Sequence, residues 1–133
     1  MLIGNWRVER KIIDQRGGGT LIFAGHAIIS ESAFDEYGQL QMTGARLDSR
    51  RHYRVSMEDE CAWVLFPDGS PFIRLAREPS QRVVHHCGDD IYRGQFFVRD
   101  ADRWAEAWSV SGPKKRYRSI AHFRRDATDQ FDR

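Results

Sequence analysis

The sequence predicts an all-β protein: a single antiparallel up-and-down β-barrel of about eight to ten strands. Three observations carry that prediction. No stretch sustains a helical period, whereas short segments that alternate apolar and polar residues recur along the whole chain. Clusters of Gly, Asp, Pro and Ser separate them at short intervals, so neighbours in sequence become neighbours in space. Eight Phe, four Trp and four Tyr among 133 residues are types that favour strands and aromatic-walled pockets. The length suits one domain, residues 1–125, followed by a polar tail, residues 126–133.

Residues 3–13 place Gly4, Trp6, Val8, Arg10 and Ile12 on one face and Asn5, Arg7, Glu9 and Lys11 on the other. Residues 14–19 are a turn with three glycines. Residues 20–30 align Phe23, Gly25, Ala27 and Ile29, and small residues in mid-strand mark a bend or a cavity wall. Residues 34–43 are less regular, and Tyr37-Gly38 suggests a bulge or turn. Residues 45–57 set Leu47, Tyr53 and Val55 against Arg46, Asp48, Arg50, His52 and Arg54, with Arg51 on the apolar side. After the acidic turn 58–60, segments 61–66 and 72–77 flank Asp68-Gly69, a hairpin signal.

Residues 83–96 concentrate the unusual chemistry in one further hairpin. With residues 88–91 as a four-residue loop, Cys87 opposes Tyr92, His85 opposes Gly94, and Val83 opposes Phe96. Gly94 then leaves room in front of His85. Segments 103–111 and 115–125 follow, joined at Gly112-Pro113. Pairing Val110 with Lys115 sets Trp108 opposite Tyr117.

A net charge of +2 argues against nucleic acid as a partner, and the run Lys114-Lys115-Arg116-Tyr117-Arg118 reads as a solvated hairpin end. Two distant cysteines suggest no disulfide framework. The N-terminus lacks a signal pattern, and no apolar run approaches the ~18–20 residues that span a bilayer. A cytoplasmic location and no membrane partner are the default expectations, with a homodimer left open.

Two resemblances sharpen the fold. Gly4-x-Trp6 opening the first strand, with Arg124-Arg125 closing the last, resembles the lipocalin or calycin pattern. That resemblance implies that the Trp packs against a basic residue of the last strand. A second resemblance covers nearly the whole chain. Its pieces are Gly4-x-Trp6-x-x-x-Arg10, Phe23-x-Gly25-x-Ala27, Glu36-x-Gly38-x-Leu40 and Arg51-x-Tyr53. They continue with Phe66-x-Asp68-Gly69-x-x-Phe72, His85-x-Cys87-x-x-Asp90-x-Tyr92-x-Gly94 and Trp108-x-Val110-x-Gly112-Pro113-x-Lys115. In these the chain resembles an uncharacterised bacterial and fungal domain family of unknown function with a lipocalin/calycin-like barrel. The resemblance implies a fold and a pocket, and brings no activity with it. Many members of that family carry a His after the Phe of the Asp-Gly hairpin; Ile73 stands there in this chain.

The candidate site residues follow from these faces. His85 and Tyr92 are the candidates for proton transfer and for stabilising charge. Arg10, Arg51, Tyr53, Cys87, Trp108, Lys115 and Tyr117 are the candidates for contacting a ligand. Arg10, Arg51 and Lys115 sit on apolar faces, and an interior cation needs a partner. Glu36 and Asp90 could supply it, or an anionic ligand could. His85 and Cys87 share a face two residues apart but have no clear third ligand, so no metal is assigned. Asp68 and Asp90 read mainly as turn chemistry.

Two functions remain in play. The first is a binding protein that holds a small, partly apolar molecule, anionic or neutral, in an aromatic-lined cavity. The second is a cofactor-free acid/base enzyme, an isomerase, cyclase or hydrolase, with His85 moving the proton. The sequence names no cofactor for either.

Overall fold

The computed structural model describes residues 2–126; the expected tail beyond Asp126 lies outside the described residues. The described residues form ten antiparallel strands. They are β1 (Gly4–Asp14), β2 (Gly19–Ile29), β3 (Ala33–Met42), β4 (Ala45–Met57), β5 (Cys61–Leu65), β6 (Pro71–Ala76), β7 (Ser80–Cys87), β8 (Asp90–Asp100), β9 (Arg103–Ser111) and β10 (Arg116–Arg125). One sheet contains them all, in the order β6-β5-β4-β3-β2-β1-β10-β9-β8-β7. It curls into a nearly closed calycin-like barrel.

The first and last strands are therefore partners, with Trp6 opposite Arg125 and Val8 opposite Phe123. The gap falls in mid-chain instead. Strands β6 and β7 follow each other in sequence but share no ladder. The Gln81 side chain bridges them: its Nε2 donates to Ala76 O and its Oε1 accepts from Ala76 N, both over 2.8 Å. That one side-chain amide supplies the hydrogen bonds across the gap, where the sheet keeps two unladdered edges.

Alternation along the strands decides what enters the core. Trp6, Val8 and Arg10 are buried while Arg7, Glu9 and Lys11 are exposed, as period 2 requires. Trp6 is fully buried at one end of the barrel. Its Nε1 donates to Leu2 O, its edge meets Trp104, and the Arg125 guanidinium lies 4.4 Å from the ring centroid. Arg125 in turn donates to Ala101 O and Ile3 O, so the cation is fixed over the ring.

Four local expectations are corrected. Tyr37-Gly38 makes neither bulge nor turn: Gly38 lies directly opposite Gly25 within an unbroken ladder. A Cβ on Gly25 would strike Tyr37 O and come within 2.7 Å of Gly38 Cα, so both positions must be bare for the strands to approach.

The β7–β8 hairpin turns over two residues rather than four, which sets Cys87 opposite Asp90, His85 opposite Tyr92 and Val83 opposite Gly94. Gly88, with φ of 59°, occupies the first central position and Asp89 the second, the φ signature of a type II′ turn. The slip is two residues, so every side chain keeps its face.

At β9–β10 Val110, not Trp108, opposes Tyr117, because Gly112 to Lys115 form the loop and Gly112 N donates to Lys115 O. Finally, Gly94 does not open space before His85. A Cβ there would lie 2.8 Å from the Trp108 ring, which fills that room.

Candidate functional site

Four charged side chains from four strands meet inside the barrel. Arg10 on β1 and Glu106 on β9 flank Ala121 of the intervening strand, whose small side chain lets them reach each other. Glu36 on β3 and Arg51 on β4 are direct cross-strand partners. Arg10 Nη1 and Nη2 grip Glu36 at 2.5 and 2.9 Å, and Nη2 also reaches Glu106 at 3.1 Å. Arg51 Nη2 donates to Glu36 over 3.1 Å and to Glu106 over 2.8 Å. The result is an alternating ring of two cations and two anions with no net charge.

Burial alone would discharge these groups; their mutual attraction prevents it. Desolvation opposes the Arg51 charge, but Glu106 and Glu36 outweigh it and hold its pKa above the ordinary arginine value. Desolvation likewise pushes Glu106 up, yet Arg51 and Arg10 outweigh it and leave the carboxyl below its usual range.

The ring lies between two chambers of the interior. On one side is a cavity of about 310 Å³ with Tyr53, Tyr92, Tyr117, Ser49 and Ser119 among its lining residues. On the other is an apolar hollow of about 100 Å³, walled by residues such as Phe34, Val64, Ile73 and Trp104. Arg51, Tyr53, Phe72 and Trp108 line both. Phe72 enters because it is the extra residue of a β-bulge: Val64 pairs with Ile73, while Leu65 pairs with Pro71. Its ring stacks on Tyr53 at 5.4 Å and on Trp108 at 5.4 Å, giving a three-ring column across the barrel.

Three buried donors on residues of the chamber walls have no acceptor among the described residues: Arg51 Nε, Trp104 Nε1 and Trp108 Nε1. An unpaired buried donor costs about 1–3 kcal/mol. Burial raises the pKa values of Tyr53 and Tyr117 above the usual phenol range, so both remain protonated donors at neutral pH. The interior therefore presents an excess of donors among aromatic walls.

Of the sequence candidates, Arg10, Arg51, Tyr53, Tyr92, Trp108 and Tyr117 line the larger cavity. His85, Cys87 and Lys115 do not. The His85 ring is framed by Phe66, Phe72 and Tyr92 at 5.4, 5.0 and 6.0 Å. Cys87 is exposed at the end of β7. Lys115 stands at the rim, where its Nζ donates to Tyr92 Oη over 3.2 Å and lies 3.6 Å from Asp90. Asp90 thus ties two hairpins together, whereas Asp68 accepts from Ser70 N and Oγ within its turn. Glu106 was not singled out from sequence. Its signal was there: it holds the inward parity between Trp104 and Trp108.

Comparison with known proteins agrees with the geometry at the level of fold. The family model described as "Family of unknown function (DUF6314)" matches residues 2–125, and the chain belongs to that family. No curated protein matches it. Its fold is similar to that of the S-type phycobiliprotein lyase CPES from Guillardia theta, with a TM-score of 0.63 at 7% identity over 93% of this chain and 88% of the other. It is also similar to a protein of unknown function from the DUF3598 family of Nostoc punctiforme, with a TM-score of 0.66 at 9% identity. That likeness covers 94% of this chain and 48% of the longer one.

Proposed function

We propose that this member of the DUF6314 family is a small-molecule-binding barrel whose ligand is partly apolar and rich in hydrogen-bond acceptors. The observation that carries this reading is the set of buried donors without acceptors among the described residues, Arg51 Nε and Trp108 Nε1 above all, on residues that line both chambers. A ligand carbonyl or ether oxygen would satisfy them, while Phe72, Trp108 and Tyr53 would cover its apolar body.

The sequence left an anionic ligand open. The ion ring already neutralises Arg10 and Arg51, so the interior favours an uncharged acceptor over a carboxylate. At about 310 Å³ the cavity lies at the small end of ligand pockets. The acid/base reading has less support, because His85 contacts rings and has no place in the cavity lining. The fold likeness to the phycobiliprotein lyase, at 7% identity, brings no activity to this chain.

Native mass spectrometry of gently purified protein tests the proposal, followed by thermal-shift measurements against an uncharged aromatic carbonyl library. Extra mass, or a stabilisation that Trp108→Phe diminishes, supports it. Bare protein with no shift across the library overturns it.

A further inference from the structure

The outer face of β9 is a stripe of small residues, Ala105, Ala107, Ser109 and Ser111, and it forms the floor of a trough. The trough is about two strand spacings wide, roughly 10 Å, and about 27 Å long by strand rise. Two hollows of about 690 and 610 Å³ lie along it.

Cations line both rims. On one side β10 presents Arg116, Arg118 and Arg124; on the other β8 presents Arg93 and Arg99. Arg103 closes one end of the floor, and Arg7 and Lys11 on β1 and Arg82 on β7 stand just outside the rims. All of these side chains are exposed, and none makes an ion pair with a described residue. Glu9 is the one carboxylate on the outward positions of these strands away from their ends. The total charge of +2 hides this segregation, because the balancing acids lie in turns and elsewhere in the barrel.

We propose that this trough binds a single-stranded nucleic acid through its phosphates, a partner that the total charge argued against. Arg93 and Arg118 face each other across Ser109, one on each rim, so a phosphate chain lying on the floor meets a guanidinium from both sides. Arg116 and Arg118 are about 6.8 Å apart by strand rise, a repeat that an extended sugar–phosphate chain can follow. The Ala and Ser floor lets the backbone approach closely. Phe97 and His122 flank Ala105 and offer rings for bases to stack on. A duplex is too wide to enter, and so is a bilayer surface.

The test is fluorescence anisotropy with labelled 12-nucleotide oligo(U) and oligo(dT) at low salt, using the full chain. Binding is expected, weakening with salt at a log–log slope of about −3 for some four phosphate contacts. Arg93→Glu/Arg118→Glu is expected to weaken it at least tenfold, and Arg46→Glu/Arg54→Glu on β4, outside the trough, less than twofold. Arg93→Gln/Arg118→Gln serves if the reversed charges impair folding. Absence of binding at low salt overturns the proposal, as does an equal loss in the β4 pair. Retention on phosphatidylglycerol vesicles without oligonucleotide binding also overturns it, in favour of a membrane surface.

Discussion

Glu36 and Arg51 are direct partners across the β3–β4 ladder, and Arg51 bridges Glu36 to Glu106 on the far side of the barrel. Neither cation serves a single anion, so removing one member leaves the other three unbalanced.

The ring makes stability depend on acid. The Glu106 carboxyl in the folded chain lies below its ordinary value of 4.5. Its contribution is therefore complete above that value and is lost as pH falls through the folded-state pKa. The melting temperature is expected to hold from pH 7 to about 5 and to fall below about 4.5. Glu106→Gln should start lower, since breaking a buried pair costs about 3–5 kcal/mol. It should also fall less steeply with acid. Scanning calorimetry over pH checks this, and parallel acid slopes would falsify it.

Trp108→Phe separates the ligand from the fold. An aromatic ring remains, smaller than the indole, and a buried donor with no acceptor among the described residues disappears. The lost indole volume opens a cavity beside Gly94 and should cost the free protein about 1–2 kcal/mol, partly offset by removal of the unpaired donor, while ligand affinity falls about five- to tenfold, near 1 kcal/mol. Chemical denaturation and calorimetric titration give the two numbers. A loss of stability without a loss of affinity would assign Trp108 to the core alone.

A Cβ on either Gly25 or Gly38 would strike the other's backbone. Gly25→Ala is expected to cost about 1–3 kcal/mol through overpacking, read as a lower denaturant midpoint. An unchanged midpoint would mean that the two strands can part without cost.

Gln81→Leu removes both hydrogen bonds across the β6–β7 gap. A loss of about 1–3 kcal/mol is expected, with amide exchange at Ala76 speeding up more than exchange in β1 or β10. Uniform acceleration would show that the gap is not a separate weak point.

Much of this architecture was legible in the alternation of residues. The inward positions of Trp6, Val8 and Arg10, of Phe23 and Ala27, and of Arg51 and Tyr53 follow from period 2 alone. Hairpin registers were less legible. Both errors were slips of two residues, which leave the faces intact and so leave no trace in hydrophobic pattern. Phe72 was harder still, because a bulge breaks the period that sequence reading relies on. His85 drew attention through its residue type, yet a neighbouring strand's rings settle its surroundings, and alternation along β7 carries no information about them.

The gap between β6 and β7 also bears on how the chain assembles. Every ladder but one joins strands adjacent in sequence; the exception is β1 with β10. The sheet is thus two local meanders, β1 to β6 and β7 to β10, joined by their outermost strands. Each meander can form with short loop closures, whereas the β1–β10 zipper must bring together segments more than a hundred residues apart. The rate-limiting search in folding therefore belongs to that one interface, where Val8 meets Phe123, and the site's ion ring is complete only after it closes.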